Sequence, residues 1–151
     1  MRHRVRTRTL GRPTAHRLSM LRNLATALLE HKQIDTTEFR AKEVSRYVER
    51  IIEHAKDALK AEAATGEASK GPHAALPHKR KIFAKVRSRT DVDNPQRAAK
   101  DRHAVRELFN IAKRYMAEGS RQERKGGYTR ITRLANRKGD GALVVTLSLV
   151  D

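Results

Sequence analysis

The clearest run of hydrophobic positions lies between residues 44 and 59. There Val44, Tyr47, Val48, Ile51, Ile52, Ala55 and Leu59 recur at intervals of three and four. That is the period of one helix face turned toward a core. Thr36 or Thr37 can cap this helix at its start. Glu43, Arg46, Glu49, Arg50 and Glu53 fill other positions, where i,i+3 and i,i+4 pairs on a solvated face are expected. An earlier helix is expected from Thr14 to about Glu30, because Leu18, Leu21, Ala25 and Leu28 repeat at helical spacing with Leu24 adjoining. Thr14, just after Pro13, is its expected N-cap. Between the two helices, QIDTT is short and polar around Ile34, which fits a brief strand or an extended link.

The pattern then weakens. Gly66, Gly71, Pro72 and Pro77 interrupt a stretch rich in Ala and Ser, so residues 61–76 read as an inserted loop, exposed over 63–75. Residues 77–89 suit a short basic helix carrying Ile82, Phe83 and Val86, and 90–96 a loop turning at Asn94-Pro95. A further helix is expected over about 98–117, with Val105, Leu108, Phe109, Ala112, Tyr115 and Met116 on one face. SRQERKGG follows as a basic loop. At the end of the chain the period changes to two. In LVVTLSLV, Leu143, Val145, Leu147 and Leu149 fall on one side, and Val144, Thr146, Ser148 and Val150 on the other. YTRITRLA also suits a strand, and NRKGDG between the two holds turn residues, so a hairpin is the simplest arrangement. Its apolar face needs a cover that the helical stripes can supply. The fold class is therefore α+β, a two-layer α/β packing in one domain spanning residues 1–151.

Charge changes this picture. Lys and Arg number 34 against 17 Asp and Glu, a net charge of +17. Such an excess costs self-repulsion and is the footprint of a polyanionic partner, nucleic acid above all. Residues 1–29 hold seven arginines and no acid, residues 30–60 are neutral, and residues 121–151 carry +4. The positive charge thus sits at the two ends of a neutral scaffold. Arg2, Arg4, Arg6 and Arg8 alternate with small or apolar residues; extended, they would line one edge about 6–7 Å apart. Residues 1–13 read as a basic arm. A transit presequence shares this composition, but the helix beyond runs into mixed-charge sequence without a processing-like break. No run approaches the roughly 18 apolar residues of a membrane span, and cysteine is absent.

No catalytic constellation emerges. Seven histidines are scattered without HExxH or His-x-His spacing, no Ser lies in a GxSxG elbow, and Gly126-Gly127 is not a P-loop. No catalytic residue, metal ligand, cofactor or small-molecule substrate is expected. Phe39, Tyr47, Phe83, Phe109 and Tyr115 read as core. Tyr128 stays open between two roles: a ring beside Arg130 that stacks on a base or ribose after two glycines, or a Tyr that starts a strand after a flexible loop.

Three blocks carry a resemblance. MRHR, LGR and HR at 16–17 with Asn23 form the first; IDTTEFRAKEVSRYVERIIEHAK, residues 34–56, the second; GGYTRI, 126–131, followed by RKGD and a closing apolar strand, the third. In this order they resemble the bacterial large-subunit ribosomal protein L17 family. Residues 61–76 depart from it in being longer and richer in Ala and Gly. The resemblance implies an α-β-α(3)-β(2) fold and a structural constituent of the 50S subunit, ribosome-bound in the cytoplasm, that binds 23S rRNA. It also implies a place near the rim of the polypeptide exit tunnel among neighbouring large-subunit proteins.

Three RNA contact regions are then expected. Arg2, Arg4, Arg6, Arg8 and Arg12 would thread along phosphates with His3 and His16 nearby, and Arg17 and Arg22 would extend that surface along the first helix. Thr36, Thr37 and Lys42 would meet a phosphate at the start of the second helix. Tyr128, Thr129, Arg130, Arg133, Arg137 and Lys138 would form the C-terminal contact. The rival is a DNA-binding helical protein, with Arg102, Arg106, Lys113 and Arg114 on its recognition helix.

Overall fold

Val145, Leu147 and Leu149 are buried, while Val144, Thr146 and Ser148 between them are half-exposed, so the period-two pattern at the end of the chain reports a strand with one covered face. The computed structural model describes residues 7–65, 75–86, 103–117 and 124–150, apart from the side chains of residues 64 and 65. In chain order it contains α1 (Thr14–His31), β1 (Gln33–Thr37), α2 (Glu38–Thr65), α3 (Leu76–Lys85), α4 (His103–Met116), β2 (Thr129–Asn136) and β3 (Leu143–Leu149). None of these helices is long and apolar enough to cross a membrane.

The hairpin expected at the end of the chain is present, and QIDTT adds a third strand to it. The sheet is antiparallel throughout with order β1-β3-β2. Register decides which side chains share a face. Ile34, Leu147 and Ile131 lie in one row, as do Thr36, Val145 and Arg133, and these rows face the helices. Gln33, Ser148 and Arg130, and then Asp35, Thr146 and Thr132, form rows on the opposite face. There the Thr146 hydroxyl donates to Asp35 at 2.6 Å. A bulge between Arg133 and Ala135 shifts the register near the tip of β2.

Helix α2 is the central element, packing against the other helices and all three strands. Its stripe of Val44, Val48, Ile51, Ile52 and Ala55 is fully buried, with Tyr47 and Leu59 packed at the margin. Leu21, Ala25, Leu28 and Leu29 of α1 and Leu108, Ile111, Ala112 and Tyr115 of α4 complete the same core. Burying side chains of this size stabilises by about 1.5–3 kcal/mol each. The ordered sequence α-β-α(3)-β(2) and its helix-on-sheet layering agree with the sequence pattern.

Several local expectations are corrected. Thr14 is the first residue of α1 rather than its cap; Pro13 holds the cap position and makes no side-chain cap bond. Helix α2 continues through Thr65, so residues 61–65 are helical and not loop; residues 66–74 lie outside the described residues. Ala75 is buried and Leu76 begins α3. Phe39 and Phe83 are exposed, at 57% and 52%, instead of lying in the core. Each sits on a helix whose buried stripe is complete without it.

Candidate nucleic-acid interface

The C-terminal contact region divides in two. Tyr128 leaves solvent altogether: it is 1% exposed and among the largest fully buried side chains. Its ring stacks on Tyr115 with centroids 5.1 Å apart, and its hydroxyl donates to Glu53 and accepts from Lys56 Nζ at 3.0 Å. Lys56 also donates to the Arg124 carbonyl at 2.7 Å. Burial, with the hydrogen bond to Glu53 and the nearby carboxylate charge adding to it, raises the phenol well above its ordinary value. A ring with neither face open cannot stack on a base, so the strand-start reading of Tyr128 is the correct one. Gly127 adopts φ of +67°, a backbone that glycine takes without strain, and so turns the chain into the core just before Tyr128.

Thr129 is likewise committed inward. Its hydroxyl donates to Glu49 at 3.1 Å and lies 2.7 Å from the Ser45 hydroxyl. Ser45, Glu49 and Glu53 follow one another at i,i+4, and Lys56 extends the line by three. One face of α2 thus fixes Tyr128-Thr129. Sequence reasoning placed Glu49 and Glu53 in solvent-side ion pairs. The signal it passed over is Lys56, a long cation in line with the apolar Ile52 at i+4, where an outward charge would be out of place.

The cations behave differently. Arg130 is exposed on the sheet face opposite the one that packs on the described helices. It lines a hollow of about 360 Å³ with His31, Lys32 and Gln33 at the α1–β1 junction and Ser148 at the end of β3; among the described residues no carboxylate contributes to its wall. His31 and Lys32 were not picked out from sequence, since only strand pairing brings residue 32 beside residue 149. Three residues along β2, Arg133 points to the other side of the sheet.

Arg133 joins a second group. Glu38, in the first turn of α2, has its carboxyl held below the ordinary value, first by the Lys42 hydrogen bond at 2.7 Å and further by the charges of Lys42, Arg133 and Arg8. Arg8 also lies over the exposed Phe39 ring, 4.9 Å from its centroid. Lys42 at the start of α2 thus pairs with this carboxylate directly, while Arg8 before α1 and Arg133 of β2 act on it through their charge alone. Thr36 and Thr37 are half-buried in β1, paired with Val145 and Val144, and Glu38 takes the first helical position, facing the positive end of the helix dipole.

Along α1, the Arg12 guanidinium donates to the His16 ring at 2.7 Å. Arg17 is half-buried, and Arg22, exposed, reaches the Tyr47 hydroxyl. Arg8 and Arg17 line a groove of about 930 Å³ against α2, whose wall also holds Arg46, Arg50, Glu43, Glu49, Glu53 and Asp57. At the hairpin turn, Arg137 pairs bidentately with Asp140 and holds that carboxyl down at about 2. Lys138 beside it is exposed. Arg2, His3, Arg4 and Arg6 lie outside the described residues. Among the described residues, Arg8, Arg12, Arg17, Arg130, Arg133 and Lys138 form no ion pair with a carboxylate. The geometry therefore offers positive charge on the arm side and on the hairpin that no described carboxylate neutralises.

A family model described as Ribosomal protein L17 matches residues 20–150. The large ribosomal subunit protein bL17 of Chlorobaculum tepidum is 40% identical over 144 residues, covering 95% of this chain and 70% of the relative. That of Ligilactobacillus salivarius is 38% identical over 146 residues, covering 95% of this chain and 98% of the relative. That of Wolinella succinogenes is 36% identical over 151 residues, covering 99% and 100%.

Proposed function

The chain belongs to the ribosomal protein L17 family, a structural constituent of the large ribosomal subunit rather than an enzyme, and from that premise we propose that it binds large-subunit rRNA through its two basic ends. The observation that carries this reading is that Arg8, Arg12, Arg17, Arg130, Arg133 and Lys138 form no ion pair with a carboxylate among the described residues. Glu38 is paired with Lys42, so the charges of Arg8 and Arg133 are left as a surplus that a phosphate can neutralise. Arg130 with Lys32, in the hollow at the α1–β1 junction, supplies a second such point.

Arginine suits the task. Its planar fork grips phosphate oxygens with two hydrogen bonds and stacks on bases. Arg2, Arg4, Arg6, Arg8 and Arg12 follow the RNA backbone, with His3 and His16 as further donors; Arg17 and Arg22 continue that surface; Arg130, Arg133, Arg137 and Lys138 close it from the hairpin. Recognition rests on the shape of folded RNA and the placing of its phosphates more than on base edges. The site of action is the 50S subunit near the exit-tunnel rim, beside other large-subunit proteins, as the likeness of the three sequence blocks implies.

Competition between partners tests this. Neutralising about eight phosphates gives a log–log slope of affinity against salt of about −6. At equal salt, the protein should hold large-subunit rRNA far more tightly than duplex DNA of the same length. Equal affinity for the two would favour the DNA-binding alternative, and a slope near zero would remove phosphate contacts from the account.

A further inference from the structure

We propose that His54, Asp57 and His78 form a binding site for a divalent transition-metal ion, with zinc as the cation their chemistry suits best. His54 and Asp57 stand three apart on α2 and so share one helix face. His78 enters from the first turn of α3, across the α2–α3 contact. One donor atom from each lies within 4.8 Å of the others. The closest approach is His78 Nδ1 to Asp57 Oδ2, 3.6 Å. The two imidazoles stand edge to face with centroids 6.1 Å apart. A tetrahedral ion with bonds of about 2.0–2.1 Å separates its ligands by roughly 3.3 Å. Small side-chain rotations therefore bring the three donors onto one ion, leaving a fourth position for water.

A second observation points the same way. His78 Nδ1 is buried and makes no hydrogen bond, the Asp57 oxygen lying too far for one. A buried nitrogen without a partner is costly unless something occupies its lone pair. The frame around it is rigid: Ile82 and Ala58 are buried beneath the two helices, Lys79 pairs with Glu62, and the Tyr47 hydroxyl donates to the Lys85 carbonyl at 3.2 Å. Two imidazoles and one carboxylate favour zinc and its neighbours over magnesium or calcium, which take oxygen ligands.

The charges facing the site work in two directions. Burial, and then the charges of Lys85 and Lys81, lower His54 from its ordinary value. The same lysines repel a cation, whereas the Asp57 carboxylate attracts one. An ion held here would join α2 to α3 and add its binding free energy to the stability of that contact.

Calorimetric titration of the full, untagged chain with zinc chloride, and in parallel with magnesium chloride, tests the site. The expected result is one zinc per chain, no saturable magnesium, and a melting temperature that rises with zinc. His54→Gln, Asp57→Asn and His78→Gln should each weaken zinc binding by at least about tenfold, while His103→Gln leaves it unchanged. Circular dichroism of each variant without metal separates lost binding from lost fold, and Asp57→Asn keeps the side-chain shape if either histidine variant misfolds. Cobalt(II) should give tetrahedral visible bands that disappear in His78→Gln. Failure to find a saturable zinc, or equal zinc affinity in the folded variants and the parent chain, would overturn the proposal.

Discussion

The arm-side surface and the segment around Tyr128 are written in similar residues, arginine and threonine beside glycine, and they end in opposite environments. Arg8, Arg12 and Arg17 form no ion pair with a described carboxylate, and Arg8 rests on an exposed ring. Tyr128 and Thr129 are tied to Ser45, Glu49, Glu53 and Lys56 on one face of α2. The difference lies in what α2 supplies. Toward β2 it presents side chains of both signs that satisfy both hydroxyls of the Tyr-Thr pair. At its start Glu38 is paired with Lys42 of the same helix, and Arg8 and Arg133 form no ion pair with a described carboxylate. One region holds the body together; the other leaves charge for a partner.

Removing the buried ring breaks this comparison hardest. Tyr128→Ala should cost about 3–5 kcal/mol of unfolding free energy in urea titration, the usual loss for a large aromatic side chain in a core. Tyr128→Phe keeps the stack on Tyr115 and strips the hydroxyl from Glu53 and Lys56, for about 1–3 kcal/mol. Folded Tyr128→Phe protein should bind rRNA as the parent does; a large loss of affinity would return the ring to the RNA surface. Thr129→Val removes one hydroxyl shared by Ser45 and Glu49, and about 1 kcal/mol is expected.

The hairpin turn sharpens the contrast by pH. Asp140 titrates at about 2 in the folded chain against an ordinary value near 3.8. Its folded value is the lower one, so its contribution is complete above the ordinary value and is lost as pH falls through 3.8 toward 2. NMR titration of the carboxyl reads this directly, and in Arg137→Ala the midpoint should return toward 3.8. Glu38→Gln gives the gentlest change. It removes the one negative charge among Arg8, Lys42 and Arg133, so rRNA affinity should rise modestly at low salt and converge with the parent at high salt.

Hydrophobic period made most of the fold legible. The stripes of α2 and α4 and the alternation of β3 each describe a face turned to the core, and that of α1 does so from Leu21 onward, Leu18 being exposed near the start of the helix. The pairing of β1 with β3 was not legible, because a five-residue polar strand carries no mark of its neighbour. Phe39 and Phe83 misled for a related reason: an aromatic beside a helical stripe looks like core until the turn of the helix carries it outward. Charge distribution identifies the two basic ends, since a surplus of cations needs no tertiary information. The roles of Tyr128, Thr129, Glu49, Glu53 and Lys56 needed it, because a hydroxyl and its partner stand more than seventy residues apart. The His54–Asp57–His78 cluster carries no metal-ligand spacing in the sequence for the same reason, its third member arriving from another helix.

The most direct measurement is the salt dependence of large-subunit rRNA binding by the double variant Arg8→Gln/Arg133→Gln, taken beside its urea stability. Loss of two phosphate contacts should lower the log–log slope by about 1.5, while unfolding free energy stays within about 0.5 kcal/mol per substitution of the parent. An unchanged slope with an unchanged fold would contradict the assignment of these cations to RNA.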